Sequence, residues 1–180
     1  MTERYVILDR DGTINRDSDD FIKSPEEWLP LPGSLEAIAL LNHHGYRVVV
    51  ITNQSGIARG LFDLPTLDAM HDKMRQLASA AGGHIEAIYV CPHGPNDLCD
   101  CRKPKAGLFR QFASDKQIDL NTVYAIGDSL RDLQAADSAG AKPILVKTGK
   151  GSKTLHHHPD LPFPVFETLY DAAQFIVSPS

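Results

Sequence analysis

The stretch Tyr5-Val6-Ile7-Leu8-Asp9-Arg10-Asp11-Gly12-Thr13 decides the fold. Four apolar residues, too few for a helix, run without a polar interruption into a turn carrying two carboxylates. A strand covered by helices on both faces has this character, because no side of it meets water. The run recurs at Arg47–Ile51, Ile85–Val90, Val123–Ile126 and Pro143–Val146.

Helix-length amphipathic segments separate these runs. Ser34–His44 follows Pro32-Gly33, has Ser34 as its expected N-cap, places Leu35, Ile38 and Leu41 on one face, and stops at Gly45. Pro65–Ala81 carries Leu67, Met70, Met74, Leu77 and Ala81 at helical spacing, the methionines as core filler. Leu108–Phe112 and Leu130–Ala139 read the same way. The alternation gives an α/β protein, a doubly wound, mainly parallel sheet with helices on both faces, in a single domain over 1–180. Three stretches are expected to be irregular: Asn15–Pro32, Cys91–Lys105 and Thr148–Pro164, the last with His156-His157-His158 as exposed polar loop. In such sheets ligands gather at the carboxyl ends of the strands.

Composition narrows the class. The 180 residues are 42% hydrophobic and 23% charged, with a formal net charge of −5. That balance opposes general nucleic-acid binding, which draws its affinity from Lys and Arg on phosphates. The start shows no secretory pattern and no run is long enough to span a bilayer, so a cytoplasmic location is expected. Cys91, Cys99 and Cys101 make an odd and crowded set, a poor disulfide framework but good metal ligands in a reducing compartment. With His93 they complete a tetrahedral set for structural zinc, and Arg102-Lys103-Pro104-Lys105 follows directly, so the metal would fix where those cations point.

Chemistry concentrates at strand ends. Asp9 and Asp11, two residues apart, can divide nucleophilic and proton-transfer work while a divalent cation screens their charge; a solvated turn could also contain such a pair. Thr52-Asn53-Gln54-Ser55-Gly56 offers donors to phosphate oxygens, or is an ordinary strand-to-helix turn. Asp128, after Gly127, suits a magnesium ligand or a helix N-cap, and Asp132 is expected behind the site or in solvent. Trp28 is expected to pack the first long loop.

Taken together, Asp9-x-Asp11-Gly12-Thr13, Thr52-Asn53, Lys103 and Gly127-Asp128 resemble the four motifs of the haloacid dehalogenase-like phosphatases, in that family's order. The resemblance implies a Rossmann-like phosphatase in which Asp9 is the phosphorylated nucleophile. Asp11 is the general acid and base, Thr52 and Lys103 hold the phosphoryl group, and Asp9, Asp11 (by its carbonyl) and Asp128 bind Mg²⁺.

The zinc loop ending Cys101-Arg102-Lys103-Pro104, with Gln54-Ser55-Gly56-Ile57-Ala58-Arg59-Gly60, narrows the likeness to the D-glycero-D-manno-heptose 1,7-bisphosphate 7-phosphatase family of nucleotide-heptose and lipopolysaccharide precursor synthesis. That implies substrate recognition by Asp17, Ser18, Asp19, Asp20 and Arg102, beside Asn53, Gln54 and Ser55. The chain departs from some members at Ser18-Asp19-Asp20-Phe21 and at Ser129. No segment is long enough for a cap domain, so the loops at 15–32 and 91–105 are expected to set specificity. Histidinol-phosphate phosphatase is the nearest alternative, a nucleic-acid 3′-phosphatase a more distant one. The expected partner is a small phosphorylated sugar, with no membrane or nucleic-acid partner, and a monomeric state.

Overall fold

The computed structural model describes residues 2–179. Six strands, β1 (Arg4–Leu8), β2 (Tyr46–Asn53), β3 (Ile85–Cys91), β4 (Tyr124–Gly127), β5 (Lys142–Val146) and β6 (Val165–Phe166), form one sheet in the order β3-β2-β1-β4-β5-β6. Every pairing is parallel. The helices are α1 (Ser34–His43), α2 (Leu64–Ala80), α3 (Gly107–Lys116), α4 (Leu130–Ser138), α5 (Gly151–His157) and α6 (Leu169–Val177).

The period-2 alternation of a strand divides the core in two. Val6, Leu8, Val48 and Val50 pack with α1, α2 and α6, while Tyr5, Ile7, Val49 and Ile51 pack with α3 and α4. This is the doubly wound arrangement expected from the uninterrupted Val/Ile runs. Met70 and Met74 are fully buried in the first of these cores, and so is Trp28.

Local details correct the sequence reading at three places. The N-cap of α1 is Gly33, at φ 80°, not Ser34. Ser34 is instead the first helical residue, buried, with its hydroxyl donating to the Ile14 carbonyl at 2.6 Å. The stretch 148–164 is not wholly irregular: it contains α5, so His156 and His157 are helical and only His158 caps the end. β6, only two residues long, adds a sixth strand that the apolar runs did not announce.

The first long loop is also built rather than loose. The Lys73 ammonium of α2 donates to the carbonyls of Pro25 and Trp28, each at 2.7 Å, tying that loop to the helix. Among the described residues no helix is long and apolar enough to cross a membrane.

Candidate active site

The chain leaves β1 on one side toward β2 and β3 and reaches β4 on the other, so the sheet switches direction at the carboxyl end of β1. Asp9 sits at that point, its amide donating to the Ile126 carbonyl of β4 at 2.9 Å. Lys103 reaches the same place from the loop after β3. Its ammonium lies 3.0 Å from Asp9 Oδ1 and 2.7 Å from Asp132 Oδ1, and donates to the Ile51 carbonyl at 2.8 Å.

Asp9, Asp128 and Asp132 offer carboxylate oxygens that all lie within 4.8 Å of one another. The electrostatics follow from crowding and burial. Burial, then Asp132, push the Asp9 carboxyl up to about 7, partly offset by Lys103. Burial, then Asp9 and Asp132, raise Asp128 well above the usual carboxylate range. Burial opposes the charge on Lys103, but Asp132 and Asp9 outweigh it and hold the ammonium above its ordinary value. Asp132 is likewise penalised by burial, and Lys103 more than compensates.

Three carboxylates against one ammonium leave two negative charges, which one divalent cation would cancel. The Asp11 carbonyl accepts none of the described hydrogen bonds and is free to ligate. The donor set therefore fits a magnesium ion, all oxygen and anionic.

The fit depends on close backbone approach. Gly12 has φ +85°, and a Cβ there would stand 2.0 Å from Asp128 Oδ2. On the other side the Lys150 amide donates to the same oxygen at 2.8 Å, and the Thr148 hydroxyl donates to the Gly12 carbonyl at 2.7 Å. The loop after β5 thus presses the Asp128 carboxylate against the β1 turn. Asp128 is not a helix N-cap; Ser129 is, in a capping box with Asp132.

Asp11 is braced rather than solvated. Its Oδ1 accepts from Asn15 Nδ2 and Arg10 Nε, both at 2.9 Å, and its Oδ2 from Gln54 Nε2 at 3.2 Å. Gln54 also donates to Thr52 Oγ1 at 2.9 Å. Asn53 bonds the Lys103 main chain in both directions, accepting from its amide at 3.0 Å and donating to its carbonyl at 3.2 Å. Asn53 therefore aims Lys103.

The cleft over this cluster is lined by Asp9, Asp11, Asp17, Ser18, Asp19, Thr52, Asn53, Gln54, Ser55, Arg102, Lys103 and Asp128, so these residues singled out from the sequence share one cavity. Asp20 is a correction. It lies outside the cleft because the chain turns at Ser18, whose hydroxyl accepts from the Asp20 amide at 3.1 Å. Phe21, at φ 67°, and Ile22 take its place in the wall.

Asp132, expected behind the site or in solvent, is buried and ion-paired with Lys103. Ser129, noted above as a departure from some members, also lines the cleft, as do Arg59, Arg131 and Lys150, which had not been singled out. Only Arg59 carried a signal, in the Ser55–Gly60 motif; it stands 5.3 Å over the Phe21 ring.

The cysteine loop forms a separate cluster. The sulfurs of Cys91, Cys99 and Cys101 lie within 4.8 Å of one another, with Cys91 and Cys99 3.9 Å apart. Ligand sulfurs on a tetrahedral zinc would be about 3.8 Å apart, given bonds of about 2.3 Å. Burial, then Cys91, push the Cys101 thiol up to about 12, the mark of sulfurs that need a cation in order to ionise together. His93 is exposed and its ring is outside this cluster, so the tetrahedral set expected from the spacing is three-quarters assembled.

Comparison with known proteins agrees with this geometry. The HAD-hydrolase-like family profile matches residues 100–172. A D-glycero-β-D-manno-heptose-1,7-bisphosphate 7-phosphatase of Bordetella bronchiseptica is 58% identical over 152 residues, 84% of this chain and 85% of that one. Its counterpart in Neisseria meningitidis serogroup A is 50% identical over 177 residues, 97% and 95% of the two chains. The crystal structure of D,D-heptose 1,7-bisphosphate phosphatase from B. bronchiseptica, complexed with magnesium and phosphate, superposes with a TM-score of 0.94 at 52% identity, covering 97% of this chain and 98% of that one. The chain belongs to the heptose bisphosphate phosphatase family of haloacid dehalogenase-like hydrolases.

Proposed function

We propose that this family member hydrolyses the 7-phosphate of D-glycero-β-D-manno-heptose 1,7-bisphosphate through an aspartyl phosphate formed on Asp9. The observation that carries the bisphosphate is the rim of the cleft. Arg59, Arg102 and Arg131 all line it, and none of them pairs with a carboxylate among the described ion pairs. Burial, then Arg131, lower the Arg102 guanidinium below its usual range, and Arg59 acts in the same direction. Guanidinium groups that repel one another without a counter-charge suit a second phosphate, held beyond the reacting one. The names of the relatives support the sugar and its β-anomer.

The steps follow from the cluster. Asp9 attacks phosphorus, the bond from phosphorus to the sugar oxygen breaks, and Asp11 gives that oxygen its proton. Water then attacks the aspartyl phosphate, Asp11 takes its proton, and Asp9 is restored with release of phosphate. Lys103 and Thr52 hold the equatorial oxygens as charge spreads over them. Asp9, Asp128 and the Asp11 carbonyl would hold Mg²⁺, which supplies charge neutralisation between nucleophile and phosphate.

Cys91, Cys99 and Cys101 would hold a structural zinc, with His93 turning in as the fourth ligand. Their donor chemistry and spacing support that reading. We read 1–180 as one domain, working as a monomer in the cytoplasm, in keeping with a water-soluble substrate made for lipopolysaccharide precursors.

Specificity constants for both anomers of the bisphosphate and for histidinol phosphate, with magnesium present, test the proposal. We expect the β-bisphosphate to lead, losing its 7-phosphate. Arg131→Ala should raise its KM by about ten- to a hundred-fold, the worth of a charge-assisted bond, without affecting a monophosphate. A preference for histidinol phosphate would overturn the assignment and leave the chemistry standing.

A further inference from the structure

Behind Asp11 lies a contact that the steps above do not use. Arg10, between the two aspartates in sequence, is 0% exposed. Its Nε donates to Asp11 Oδ1 at 2.9 Å; its Nη2 is 2.9 Å from the same oxygen but, lying off the bonding direction, makes no hydrogen bond among the described residues. Its Nη1 stands 3.2 Å from Nε2 of His71, which is 5% exposed on α2.

A guanidinium only donates, so His71 Nε2 is the acceptor and the ring proton is on Nδ1. Burial, then Arg10 and Arg75, lower the His71 pKa to about 3, which keeps the ring neutral and able to accept. α2 is itself locked into the core through Leu67, Met70, Met74 and Ala78. Arg10 is therefore held at one end by a rigid helix and at the other by Asp11.

The hold on Asp11 is uneven. Among the described residues Oδ1 accepts from both Arg10 Nε and Asn15 Nδ2, whereas Oδ2 accepts only from Gln54, at the longer distance of 3.2 Å. A carboxylate oxygen with two close donors has little capacity left for a proton, and its partner keeps that capacity.

We propose that His71 is a positioning residue for the phosphatase reaction: through Arg10 it fixes Asp11 with Oδ1 saturated, so that Oδ2 is the oxygen that gives a proton to the departing sugar oxygen and then takes one from water. The inference rests on the reading of Asp11 as acid and base. His71 touches neither substrate nor reacting atoms; its effect is on the orientation of a group whose placement within an ångström matters.

The test uses His71→Leu, His71→Gln and Asp11→Asn in the full chain with magnesium, on the sugar bisphosphate and on p-nitrophenyl phosphate. Nitrophenolate departs without an acid, so a misplaced Asp11 slows only the attack of water on that substrate. His71→Leu should lower kcat on the sugar by about ten- to a hundred-fold with KM within about two-fold. It should also release a burst of nitrophenolate approaching one per enzyme, which mere loss of folded protein would diminish. His71→Gln, whose amide oxygen can accept from Arg10, should restore most of kcat.

A folded His71→Leu with wild-type kcat, the absence of a burst, or failure of a folded His71→Gln to recover would overturn the proposal. Asp11→Asn separates the layers: if it stays active the reading of Asp11 fails, whereas if it is inactive beside a fully active His71→Leu only the role of His71 fails. Should His71→Leu not fold, Arg10→Lys carries the same expectation, and wild-type kcat in that variant counts equally against it.

Discussion

The carboxylate cluster and the cysteine loop are both candidate metal centres, and they are assembled in opposite ways. Asp9, Lys103, Asp128 and Asp132 come from three separate parts of the chain and meet because β1 lies beside β4 and the loop after β3 carries Lys103 over the end of β2 to Asp9. The sheet holds them, and the Lys103 ammonium offsets part of their charge from within. Cys91, Cys99 and Cys101 lie within eleven residues, at the end of β3 and in the loop that follows it, with no internal cation among them and with His93 still outside. Charge borne by a rigid sheet can be arranged before the ligand arrives; charge borne by a loop waits for its metal to give it shape. The two are linked in sequence, since Lys103 follows Cys101 by two residues.

The largest effect should come from breaking the internal balance of the first region. Asp132→Ala removes the 2.7 Å partner of a buried ammonium and the capping box of α4 at once. A broken buried pair costs about 3–5 kcal/mol, so urea unfolding of this variant should show a loss of that order. A loss under about 1 kcal/mol would mean that the sheet, and not the pairing with Lys103, holds the cluster together.

An intermediate effect is expected from the second region. Cys101→Ser should reduce bound zinc, measured by atomic emission, and raise KM about ten-fold, equivalent to about 1.4 kcal/mol, through the displaced Arg102 and Lys103. Full activity in a zinc-free preparation would show that the loop orders itself without metal, and the contrast between the regions would disappear.

The smallest effect separates them by acid. His71, buried beside Arg10 with Arg75 and Asp11 as its other charged neighbours, has a folded pKa of about 3 against about 6.5 when unfolded. Its neutral ring contributes stability that is complete above pH 6.5 and is lost as pH falls toward 3, at up to about 1.4 kcal/mol per pH unit. Thermal unfolding between pH 7 and 6, over which the loss is about 0.7 kcal/mol, should show this slope in the parent, with or without a zinc chelator, and a flatter one in His71→Leu. A slope that vanished on chelation would locate the acid sensitivity in the cysteine loop instead.

Legibility followed the range of the interactions. The strands and the sides of the sheet they serve were readable because burial on both faces demands continuous Val and Ile, as in Val48–Ile51. α5 was not, since Gly151-Ser152-Lys153-Thr154 has little helical character; it is held partly by Thr154, whose hydroxyl reaches the Asp128 carbonyl at 2.9 Å from 26 residues away. Sequence placed Asp132 only behind the site or in solvent, because its partner, the Lys103 ammonium, lies 29 positions back. Asp20 entered with Asp17, Ser18 and Asp19 through the family resemblance, and the Ser18 turn carries it out of the cleft.

The amino-acid sequence by itself determined the alternation of strands and helices, the carboxylates at the strand ends and the set of cysteines, because residue type and spacing suffice for each. Tertiary structure alone decided which aspartates share the Lys103 ammonium, which loop residues wall the cleft, and that His71 stands behind Arg10. Those outcomes depend on distances between segments far apart in the chain, and only the packing of the sheet and its helices sets them.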